Sequence, residues 1–73
     1  MRKPDEIALY SALRRHGPAL GTGVVAQEVE WSGMPEKRAT GLLQKWVGRG
    51  WWAFGVSPWA GWFTDAAPEE LKT

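Results

Sequence analysis

Cysteine is absent from the 73 residues, which excludes a disulfide framework. Histidine occurs once, as His16, too few for a structural zinc site in a chain without cysteine. No apolar run approaches the roughly 20 residues that span a bilayer. Met1-Arg2-Lys3-Pro4-Asp5-Glu6 leads into an acidic and then helical pattern rather than an apolar signal segment. The expectation is a soluble, cytoplasmic chain with no membrane partner. Catalytic chemistry also has little to draw on. Ser11, Ser32 and Ser57 lack evident activating partners, and no phosphate-cradling glycine motif occurs. Asp5-Glu6 and Glu69-Glu70 read as solvated acids, and His16 reads as a charge at a helix end. No enzyme, cofactor or metal is expected.

What the chain does have is tryptophan, six in all. A chain this short has room for one domain and one thin core. Without disulfides or metal, aromatic packing or association must supply the missing stability. Each tryptophan can bury roughly 150–250 Å².

Charge is nearly balanced at +1, but it is unevenly placed. Residues 1–36 sum to −1 and residues 65–73 to −2. Residues 37–64 carry Lys37, Arg38, Lys45 and Arg49 with no acid, a local +4. A local field of one sign attracts polyanions even where the total is small.

Periodicity divides the chain into three helices and a hairpin. Ile7, Leu9, Tyr10 and Leu13, with acids in the first turn and bases at the end, predict a helix over about 5–16. Gly17-Pro18 stops it, and Ala19-Leu20-Gly21 is a short link or a brief strand. Thr22 can cap a second helix over about 23–31, where Val25 and Val29 share a face. Ser32-Gly33-Met34-Pro35 turns the chain, with Ser32 or the Pro35 region opening a third helix over about 35–48. Ala39, Leu42, Leu43, Trp46 and Val47 recur at three and four, the spacing of a buried face. Gly41, on the other side, costs about 1 kcal/mol of helix propensity against alanine. After Gly48-Arg49-Gly50, Trp51-Trp52-Ala53-Phe54 and Trp62-Phe63-Thr64 flank a loop and predict a hairpin over about 51–64. The tail, 65–73, is expected to fray or to form one helical turn. The fold class is therefore α+β, in a single domain over residues 1–73.

This order, with Ala39-x-x-x-Leu43-x-x-Trp46-x-x-x-Gly50-Trp51-Trp52 and then Gly61-Trp62-Phe63-Thr64, resembles the winged helix-turn-helix family across residues 5–64. A tryptophan stands at 46 where that family usually has leucine. Pro58-Trp59 is similar to the wing of domains that grip left-handed nucleic acid. Those domains carry asparagine and tyrosine where this chain has Thr40 and Gln44.

The resemblance implies a sequence-specific regulator of the short kind that phages, plasmids and prokaryotic operons encode. Its partner would be double-stranded DNA, bound by a homodimer at a two-fold site. The third helix would enter the major groove. Lys37, Arg38, Thr40, Gly41 and Gln44 are then candidates for the bases. Arg38 suits guanine, Gln44 adenine and Thr40 a thymine methyl. Gly41 would let the backbone approach the duplex. Lys45, Arg49 and Ser57 are candidates for phosphates.

Tryptophan supports a rival reading, a protein-binding module that uses the aromatic wing as an inhibitor or adaptor. Trp46 and one of Trp51 and Trp52 are expected in the core, since alternation along a strand separates neighbours. Trp62 is expected to pair across the hairpin. Trp31, Trp52 (if Trp51 takes the core) and Trp59 are the candidates for a partner or dimer interface.

Overall fold

Residues 3–17, 20 and 23–71 are described in a computed structural model of the chain. Helix α1 spans Pro4–Arg14, α2 Val24–Ser32 and α3 Glu36–Gly48. Strands β1, Trp52–Phe54, and β2, Gly61–Phe63, pair antiparallel in the register Trp52 with Phe63, Ala53 with Trp62 and Phe54 with Gly61. Three helices followed by a two-stranded hairpin is an order compatible with a winged-helix topology. Among the described residues, no helix is long and apolar enough to cross a membrane.

The termini of the elements have local causes. Proline at the start of α1 sets the helical φ where no amide donor is required. The helix ends at Arg14, so Arg15 and His16 lie in the following turn rather than in its last turn. His16 Nε2 instead faces Glu28 Oε2 of α2 at 3.6 Å. Ser32 closes α2 rather than opening α3. Its hydroxyl donates to the Val29 carbonyl at 2.8 Å and accepts from the Met34 amide at 3.2 Å. Pro35 is the residue before α3, and no side chain caps that end. Pro18, Ala19, Gly21 and Thr22, and with them the expected cap and most of the link, lie outside the described residues.

At the far end of α3 the chain reverses through Gly50, whose φ of 80° is costly for any other residue. The Trp51 amide reaches back to the Trp46 carbonyl at 2.9 Å and the Gly50 amide to Val47 at 3.0 Å. This pair of bonds is the Schellman closure of a helix. It delivers the chain directly into β1.

The core is aromatic at its centre. Tyr10, Trp46, Trp52 and Phe63 are all buried, with Leu9, Leu13, Leu42 and Leu43 around them. Tyr10 meets Trp46 edge-on at 5.2 Å between centroids, and Phe63 meets both Tyr10 and Trp52 at 4.9 Å. Edge-to-face pairs add about 0.5–1.5 kcal/mol each beyond area burial. They stabilise a small domain that has no disulfide.

Two expectations about burial are corrected. Val47 is exposed, because it stands one 100° step beyond Trp46, at the edge of the buried stripe. The tail neither frays nor forms a helix over 65–71. Leu71 is buried in the core, Ala67 packs against it, and the Tyr10 hydroxyl donates to the Pro68 carbonyl.

Candidate functional site

The geometry of α3 sorts its polar residues by direction. Ala39, Leu42, Leu43 and Trp46 face the core. Lys37, Gly41, Gln44 and Gly48, spaced at four, three and four, run along the opposite side and are all exposed. A side chain added at Gly41 or Gly48 would meet only open space. Along this line the helix backbone is reachable from outside, flanked by Lys37 and Gln44.

The two sides of α3 are braced. Toward α1, the Arg38 guanidinium makes a two-point contact with Asp5, Nε to Oδ2 at 2.8 Å and Nη2 to Oδ1 at 3.0 Å. This hydrogen bonding, the largest influence on both groups, holds the Asp5 carboxyl below its ordinary range and pushes Arg38 further up. One turn on, Lys45 Nζ lies 3.1 Å from Glu6 Oε1, and the Trp46 indole donates to Glu6 Oε2 at 2.9 Å.

Glu6 is 1 % exposed, which overturns its reading as a solvated acid. Its position at three, four and seven residues before Leu9, Tyr10 and Leu13 places it on the buried stripe of α1. That spacing was the signal that would have found it. Burial without Lys45 and Trp46 would leave a carboxylate stranded in an apolar core.

Toward the wing, the Trp59 indole donates to Thr40 Oγ1 at 3.1 Å. Trp59 is half-buried and packs against the core rather than standing free at the loop tip. Ser57 serves the loop itself, its hydroxyl accepting from the Trp59 amide at 3.3 Å and its carbonyl from Ala60 at 2.9 Å. The Trp52 indole donates to the Pro58 carbonyl at 2.8 Å. The loop between the strands is therefore tied down from both sides.

Of the three tryptophans offered as interface candidates, Trp52 is removed by its own burial at 2 %. Hairpin register turns Trp52 and Phe63 inward, and the neighbouring Trp51 is half-buried beside Tyr10. Trp31 is 70 % exposed, and Trp62, opposite Ala53 on the outer face of the hairpin, is also exposed. Arg49 lies over the Trp51 ring at 5.2 Å, at the end of α3. Among the described residues Lys37 and Arg49 form no ion pair, and no group of three or more His, Asp or Glu side chains could hold a metal ion.

The sequence-derived base-reading set thus separates into two groups. Lys37, Gly41 and Gln44 share the open outer line, whereas Arg38 and Thr40 are engaged at its flanks. No family model matches the chain, and comparisons with curated proteins and with solved structures return no match.

Proposed function

We propose that the chain is a winged helix-turn-helix regulator that binds double-stranded DNA through the outer line of α3. The single observation that carries this reading is the acid-free line Lys37, Gly41, Gln44 and Gly48, opposite the core-facing side of the helix. A helix of this kind fits the major groove, and a line with two glycines brings its backbone close to the base edges. Gln44 then pairs with adenine through its amide, and Lys37 contacts guanine or phosphate. Arg49 supplies a phosphate contact toward the helix end, while Lys45, like Arg38, is committed to an acid of α1.

In this reading Arg38 and Thr40 act indirectly. Arg38 sets the angle of α3 on α1 through Asp5, and Thr40 holds the wing through Trp59. Two copies would occupy a two-fold site, an association that sedimentation with and without duplex reads directly. The surface left to the rival protein-binding reading is narrower than the tryptophan content implies, since Trp52 is core.

The test is binding to random-sequence duplex as a function of salt. Affinity should fall with salt by a power of about 0.9 for each phosphate contacted. The Lys37→Ala variant should bind more weakly while unfolding at an unchanged temperature. Absence of binding at low salt would overturn the reading.

A further inference from the structure

A groove of about 290 Å³ lies between α2, the start of α3 and the wing loop. Buried Val29 and half-buried Met34 and Trp59 line it, together with the exposed Ala26. Glu30 and Glu36 stand at the groove, both exposed and neither in an ion pair among the described residues. Among the described residues, no basic side chain lines it.

We infer that this groove docks a basic amphipathic segment of a partner protein, one large apolar side chain seated on Val29, Met34 and Trp59 and lysine or arginine beside Glu30 and Glu36. Charge decides the occupant. Two carboxylates repel a phosphate backbone, so the groove does not extend the duplex-binding surface. A second copy docking symmetrically would bring the same two acids against themselves, which is also unfavourable. A cationic flank satisfies both glutamates and leaves the apolar floor for an aliphatic or aromatic anchor. The inference is independent of DNA binding by α3, because it uses other residues and the opposite sign of charge.

The test uses isotope-labelled full-length protein and a short amidated helical peptide of leucine and lysine in amphipathic spacing. The peptide should move the Trp59 indole resonance and the Ala26, Glu30 and Met34 amides in a saturable way. The pair Glu30→Gln with Glu36→Gln should weaken it by roughly tenfold, the combined worth of two exposed charge contacts. Ala26→Arg, an exposed helix position, should abolish binding while the core resonances stay in place. Replacing the peptide leucines with serine should also abolish it.

An unmoved Trp59 resonance, or equal affinity for the double glutamine variant, would overturn the inference. So would equal shifts along Asp65, Glu69 and Glu70, which would mean general attraction to acids. A Trp59 shift produced by duplex DNA and not by the peptide would assign the groove to nucleic acid and overturn it as well.

Discussion

Glu6 shows how one side chain ties a short helix to the centre of a small core. Its carboxylate answers both the Trp46 indole and the Lys45 ammonium from a position almost closed to water. Truncating it orphans the indole donor and leaves a cavity, so Glu6→Ala should cost about 3 kcal/mol in denaturant unfolding. Glu6→Gln keeps an acceptor for the indole and should cost about 1 kcal/mol. Equal losses in the two variants would assign the effect to charge alone. Gly61 is a second such position. A Cβ there would overlap the Ala53 carbonyl oxygen and come within 2.7 Å of Trp52 Nε1. Gly61→Ala should therefore destabilise by about 2–3 kcal/mol and shift the near-ultraviolet signal of Trp52. By contrast, Trp31→Ala removes an exposed ring and should change stability by no more than about 0.5 kcal/mol. At this scale the sequence was partly legible. Alternation implied that one of Trp51 and Trp52 is buried, but the choice depended on hairpin register. The burial of Glu6 was written in its spacing, yet two adjacent acids at a helix start also suit the helix dipole. Nothing local says which bases of a distant helix they meet.

The third helix was the most legible element, because its buried residues recur at helical spacing and glycine marks its end. Its expected span, about 35–48, differs from Glu36–Gly48 by one residue. The wing was less so. Only three residues on each side pair, since Ser57, Pro58 and Trp59 use their polar groups to anchor the loop instead of extending the ladder. Between α1 and α3, the Asp5–Arg38 contact has a consequence in acid. Arg38 lowers the folded-state pKa of Asp5 below the unfolded value, so the contact contributes stability above the unfolded pKa, near 3.8. That contribution is lost as pH falls through the depressed folded value. The stability difference between the native chain and Asp5→Asn should be constant near neutrality and shrink only in strong acid. Because the pair is partly exposed, the difference should also fall with added salt. A difference that grew in acid would contradict the assignment.

Over the whole molecule, the acid-free segment 37–64 spends part of its charge internally. Arg38 and Lys45 meet the two acids of α1, so the local +4 read from the sequence overstates the field available to a ligand. What remains toward solvent is a narrow line on α3, with Lys37 at one end and Arg49 beyond the other. The acids are placed elsewhere, with Asp65, Glu69 and Glu70 in the tail and Glu30 and Glu36 at the groove. Net charge could not reveal this partition, because it depends on how α1 crosses α3. On the proposed reading, duplex DNA sits along this line on α3. Titration of duplex DNA into isotope-labelled protein reads out that placement. The amides of Lys37, Gly41, Gln44 and Gly48 should shift together at substoichiometric duplex, while those of Asp65 to Leu71 stay in place. Shifts confined to Trp31 and the outer face of the hairpin, with the two α3 glycines unmoved, would contradict it.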